Sequence, residues 1–204
     1  MKIAGVSTVT FSFDLGSPYG WLAAERIDAL LTPHEVVWEP VLLGGIFAAS
    51  GRSSWALAGD ESRRGGVAEI ERRARDRALP PMVWPDPWPT SYLTIMRVTT
   101  AVLREAGPDA MKRFALAAYR ASFTEGVDLA GAEGIGVAAE RAGLDGALLL
   151  IAAGDVANKA ALRATTDAAL ARGVRGVPSF TLPDGRVVFG DDELDGMAPD
   201  EVAG

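Results

Sequence analysis

Apolar positions fall into two short runs near the N-terminus, a long middle with helical spacing, and two short runs near the C-terminus. Thr8 to Phe13 alternates β-branched and aromatic residues and predicts a first strand. From Pro18 to Leu31 the apolar residues Trp21, Leu22, Ala24, Ile27, Leu30 and Leu31 follow a helical face, and Thr32-Pro33 stops it. Val36 to Leu43 predicts a second strand, followed by a helical turn at Gly45 to Ala48 and a Gly/Ser-rich loop from Ser50 to Gly59. The segment Ser62 to Ala78 reads as a charged helix whose arginines and glutamates mostly face water.

The stretch Leu79 to Pro89 holds five prolines, which fix φ and remove backbone donors, so it predicts an irregular connection packed by Trp84 and Trp88. Helical patterns follow over about Thr90–Glu105, Asp109–Phe123, Ala130–Ala142 and Asp145–Ala153, with breaks at Gly107-Pro108, Gly126 and Gly143. Asp155 is the expected cap of one more helix and Gly173 its end. Ser179 to Leu182, a turn at Pro183 to Arg186, and Val187 to Phe189 predict a hairpin, with a short helix and a frayed tail after Gly190. Two strands at each end are too few for separate sheets. They are expected to combine into one four-stranded sheet, an α/β fold over residues 1–45 and 154–204, with 46–153 as an all-helical insertion domain.

Composition narrows the functions open to this fold. The net charge is −7, which disfavours nucleic acid and anionic membrane as partners because phosphate binding needs a basic face. The chain has no cysteine and a single histidine, His34, which excludes disulfides, thiolate metal sites, cysteine catalysis and two-histidine sites; no metal is expected. The first 14 residues lack the apolar core and small-residue cleavage site of a signal peptide, and no segment approaches the length of a membrane span, so the reading is a cytoplasmic protein.

The junction Asp14-Leu15-Gly16-Ser17-Pro18-Tyr19 carries the candidate chemistry. Pro18 suits the first helical position and Ser17 its cap, and the open first turn of a helix directs free N–H groups and the helix dipole at one spot. Ser17 reads either as a plain cap or as a group that binds a ligand there. Tyr19 reads as a ligand contact or as core. Phe47 and Trp88, with Trp84, read as lining of a substrate slot or as packing of the proline segment. Arg97 reads as the partner of a substrate carboxylate or of an acid on a neighbouring helix. His34 reads as a solvated or capping residue.

Five stretches in order resemble the 2-hydroxychromene-2-carboxylate isomerases, and the chain is similar also to kappa-class glutathione transferases within the DsbA-like thioredoxin superfamily. They are Phe13 to Leu22, Trp38 to Phe47, Trp88 to Arg97, Gly173 to Phe180 and Phe189 to Leu194. The resemblance implies a thioredoxin-like sheet with the helical insertion, often as a homodimer, with glutathione or another small thiol as cofactor and a small aromatic substrate. It places Ser17 and Gly20 where disulfide oxidoreductases carry the two cysteines of Cys-x-x-Cys, and so makes Ser17 the catalytic residue, hydrogen-bonded to the sulfur of a bound thiol. It implies a cis bond at Val177-Pro178, with the Val177 backbone holding the cysteinyl part of the thiol. Asp192 matches the acid that binds the γ-glutamyl amine, and Asp191 beside it joins the cofactor-binding set. The implied reaction is a reversible thiolate addition that lets a former double bond rotate. A kappa-like transferase and a non-catalytic thioredoxin-like binding protein are the alternatives. Two positions depart from the pattern: Glu193 stands where relatives commonly have arginine, and Ser91 where they have asparagine.

Overall fold

The structure, a computed structural model, describes residues 6–197. The tail expected beyond the final helix lies, from residue 198 on, outside the described residues. The elements run β1 (Thr8–Phe13), α1 (Pro18–Ala24), α2 (Ile27–Leu30), β2 (Glu35–Pro40), α3 (Leu43–Ser50), a 3-10 turn (Trp55–Leu57), α4 (Asp60–Asp76), α5 (Leu93–Ala106), α6 (Pro108–Glu125), α7 (Ala132–Arg141), α8 (Gly146–Ala153), α9 (Val156–Arg172), β3 (Ser179–Thr181), β4 (Val187–Phe189) and α10 (Glu193–Gly196). The strands form one mixed sheet in the order β2-β1-β3-β4, with β1 parallel to β2 and antiparallel to β3. The four expected strands therefore do combine into a single sheet, with the helical segment between its halves. No helix among the described residues is long and apolar enough to cross a membrane.

β1 is interior to the sheet, which explains its buried run of Phe11, Ser12 and Phe13. Phe11 meets the edge of Trp38 at 4.9 Å and stacks on Phe180 at 5.7 Å, so three neighbouring strands are joined by aromatic contact. The same core continues through Trp21 and Leu22 of α1 into Phe114, Tyr119 and Phe123 of α6. A smaller cluster of Val41, Ile46, Ala169, Val174 and Val177 joins α3, the end of α9 and the segment entering β3.

Two expected elements change shape. The helix expected from Pro18 to Leu31 breaks after Ala24, because the Arg26 side chain donates to the Leu22 carbonyl at 3.0 Å and also reaches Asp195 and the Asp191 carbonyl. The second strand ends at Pro40 rather than Leu43. Val41 makes a last bond to the Phe13 carbonyl, then the Leu42 N–H donates to Thr166 Oγ1 at 2.9 Å and the Leu43 N–H to Asp14 Oδ2 at 2.7 Å, which turns the chain into α3.

Asp155 caps α9 as expected, accepting the Ala157 N–H, and Gly173 closes it at φ 105°. Asp155→Ala is expected to cost about 1 kcal/mol, read as a shift of the urea midpoint at unchanged slope.

Candidate active site

The site is built where β1 hands over to α1. Ser17 is the N-cap of α1, 4 % exposed, and its Oγ accepts the Gly20 N–H at 3.1 Å. The hydroxyl proton is thereby left for a second partner, and it points to the Val177 carbonyl at a long 3.4 Å. Val177-Pro178 is cis. No acceptor for the Val177 N–H is found among the described residues. A hydroxyl with a weakly held proton and a buried amide thus lie together, 160 residues apart in sequence.

They line a cleft of about 290 Å³ whose walls include Tyr19, Phe47, Trp55, Trp88 and Phe189. Tyr19 meets Trp55 edge-on at 6.2 Å, and Trp55 lies 5.6 Å from Trp88, so one wall is a continuous aromatic surface. The buried Trp88 Nε1 has no acceptor among the described residues. The Arg73 guanidinium sits 5.5 Å from the Tyr19 ring centroid. Burial pushes the Tyr19 hydroxyl pKa above its ordinary value against the opposing pull of Arg73.

Of the residues singled out in the sequence, the structure brings together Ser17, Tyr19, Phe47, Trp88 and Val177 around this cleft. Asp191 is 1 % exposed, and its carboxylate is taken by Arg73 of α4, at 2.7 Å, and by Arg77, which caps the C-terminus of α4. Asp192 is more open and lies 3.4 Å from Arg73. The positive charge beside this acidic pair therefore comes from α4, more than a hundred residues upstream, while Glu193 is exposed. Arg97 is half-buried on α5 and is not among the residues lining the cleft. His34 is buried, and its Nδ1 accepts the Ser7 N–H at 3.2 Å.

Sequence reasoning passed over Asp14, Arg52 and Trp55. Asp14 is 3 % exposed; Oδ1 accepts the Gly16 N–H at 2.8 Å and Oδ2 the Leu43 N–H, so it ties the Ser17 loop to the start of α3. Burial raises its pKa to about 6, with the Leu43 and Gly16 amides opposing the rise. An aspartate ending an apolar strand two residues before a glycine is an Asx-turn signal, and it was legible. Trp55 packs on Gly66, where an added Cβ would lie 2.1 Å from its ring.

The profile of the DsbA-like thioredoxin domain matches residues 8–200. The chain belongs to the DsbA-like thioredoxin family. No curated protein matches the chain. Among solved structures, a 2-hydroxychromene-2-carboxylate isomerase superposes with a TM-score of 0.80 at 21 % identity, covering 93 % of this chain and 91 % of that one. A probable DsbA oxidoreductase from Streptomyces coelicolor gives 0.69 at 20 %, covering 97 % and 87 %. The cytosolic disulfide reductase DsbM from Pseudomonas aeruginosa gives 0.65 at 16 %, covering 96 % and 95 %. At these identities the structural likeness shows a shared fold. A family member without cysteine cannot exchange disulfides through thiols of its own.

Proposed function

We propose that this protein is a thiol-dependent isomerase of the 2-hydroxychromene-2-carboxylate type, holding glutathione or a similar small peptide thiol in the Ser17 cleft and acting on a small aromatic substrate. One observation carries the reading: the Ser17 hydroxyl faces the backbone of Val177, whose N–H is without an acceptor among the described residues, at the base of an aromatic-walled cleft. These groups fit the cysteinyl unit of a peptide thiol. The free Val177 amide pairs with its backbone, and the hydroxyl meets its sulfur.

When bound, such a thiol supplies a nucleophile that adds reversibly to a conjugated carbon. Ser17 keeps its cap bond to Gly20 and turns its proton from the Val177 carbonyl to the sulfur. Little is lost in the turn, since the bond given up is long. A hydrogen bond to a charged group contributes roughly 1.5–3 kcal/mol, enough to lower a thiol pKa by about one to two units from ~8.5. Asp192 is the acid left to meet an amine at the far end of the thiol, since Asp191 is held by two arginines. A neighbour of the same fold, DsbM, was solved with GSH, which supports a peptide thiol as the occupant.

Calorimetric titration with reduced glutathione at pH 7.5 tests the reading. Saturable binding is expected, about tenfold weaker in Ser17→Ala and weaker in Asp192→Ala. Turnover of a 2-hydroxychromene carboxylate is expected to fall by roughly 10–100-fold in Ser17→Ala, without net loss of thiol. Net consumption of thiol would instead make the protein a transferase. Absence of binding at millimolar glutathione would remove the tripeptide as occupant.

A further inference from the structure

A second, larger cavity of about 680 Å³ adjoins the Ser17 cleft. The two share Gly16, Leu43, Phe47, Pro89 and the loop stretch 52–54, so they lie side by side against the same wall. The larger one is mainly apolar, walled by Leu42, Leu43, Phe47, Leu57, Tyr92 and Leu93. Its size is that of a site for a small organic molecule.

Only two side chains of full charge line it, Asp14 and Arg52, and they differ in what they already hold. Both carboxylate oxygens of Asp14 accept main-chain N–H groups. Arg52 makes no ion pair among the described residues. Its Nη1 donates to the Arg175 carbonyl at 3.0 Å, and its guanidinium lies 5.7 Å from the Phe47 ring centroid. Arg52 is exposed at the rim, where one anchor and one ring contact hold the guanidinium and leave most of its five N–H donors open. Arg52 is also the one charged side chain that lines both cavities.

We propose that Arg52 sets the substrate specificity of the site: it binds an anionic substituent, such as a carboxylate, of a planar apolar molecule whose ring system fills the larger cavity. This rests on the reading of the Ser17 cleft as the place of reaction. A planar apolar molecule is expected because the lining is aliphatic and aromatic. An anion is expected because the unpaired charge is a guanidinium at the junction, where a substituent held by Arg52 keeps the rest of the molecule beside Ser17. Asp14 adds direction: its charge, on the larger cavity alone, repels an anion toward the Arg52 end.

The test needs no thiol. Binding of 2-naphthoate and of its neutral methyl ester is followed by quenching of the tryptophan fluorescence, to which Trp55 and Trp88 at the cleft contribute. The wild type is expected to prefer the carboxylate by about tenfold or more. Arg52→Ala should erase that preference while leaving the ester affinity unchanged, and Arg52→Lys should keep part of it. Arg52→Gln serves the same purpose if the alanine variant does not fold. Arg97→Ala should change the binding of neither compound. A preference that survives in Arg52→Ala, no preference in the wild type, or no binding of either compound would each overturn the proposal. None of these outcomes depends on glutathione, so a failure of the thiol reading registers separately.

Discussion

Gly20→Ala is expected to destabilise the protein by about 3 kcal/mol, and Tyr119→Phe to recover much of that loss. A Cβ at position 20 would lie 2.4 Å from the Tyr119 hydroxyl oxygen and 3.3 Å from the ring carbon that carries it. Tyr119 is fully buried, and its hydroxyl donates to the Asp14 carbonyl at 2.9 Å, so it cannot swing away without breaking that bond. Overpacking of this kind costs roughly 1–3 kcal/mol, and an unsatisfied buried group adds roughly 1–3. Removing the hydroxyl alone should cost only about 1 kcal/mol, because the Asp14 carbonyl still accepts the Ser17 N–H at 3.0 Å. The double variant is therefore expected to be more stable than Gly20→Ala, with a coupling of about 1 kcal/mol or more in urea unfolding. Strict additivity would show that the methyl is accommodated elsewhere. The same contact bears on chemistry. Position 20 is where the resemblance places the second cysteine of disulfide oxidoreductases, and any side chain there meets the Tyr119 hydroxyl. Reinstating Cys-x-x-Cys in this chain requires a change at Tyr119 as well.

Asp14 should make the protein lose stability as pH rises from about 4 to about 6. The carboxyl ionises near its ordinary 3.8 in the unfolded chain and at about 6 in the fold, where burial disfavours the charge. Between those values the folded state binds more protons than the unfolded one, so raising the pH favours unfolding. The contribution is fully present below about 4 and gone above about 6. A shift of this size on a fully buried group corresponds to about 3 kcal/mol. Asp14→Asn cannot ionise, so the stability difference, wild type minus variant, should fall by about that amount across the window and be flat on either side. Urea unfolding at half-unit intervals from pH 3.5 to 7.5 reads it directly. A difference that does not change with pH would mean that Asp14 titrates normally. A protein that keeps such a carboxyl ionised at neutral pH bears a cost at the junction of Ser17, Gly16 and Leu43. What it gains is a fixed attachment between the Ser17 loop and α3, the two walls that Arg52 and Phe47 complete.

The strands, the proline connection, the caps at Ser17 and Asp155 and the helix end at Gly173 were all legible in the sequence, because each is decided by neighbours within a few residues. Hydrophobic spacing and cap chemistry are local, and the structure keeps them. What depended on distant partners was not legible. The break after Ala24 exists because Arg26 is drawn toward Asp191 and Asp195 at the other end of the chain. The strand end at Pro40 exists because Asp14 and Thr166 capture the next two amides. Asp191 reads as a free acid until Arg73 and Arg77 are folded against it. Arg52 and Arg97 look alike as lone arginines, and only folding places the first between two cavities and the second on the face of α5. Local chemistry determined that Ser17 would cap a helix after a strand. The Val177 backbone that makes Ser17 a candidate site, rather than a cap alone, arrives from 160 residues away, by a contact that no short-range pattern encodes.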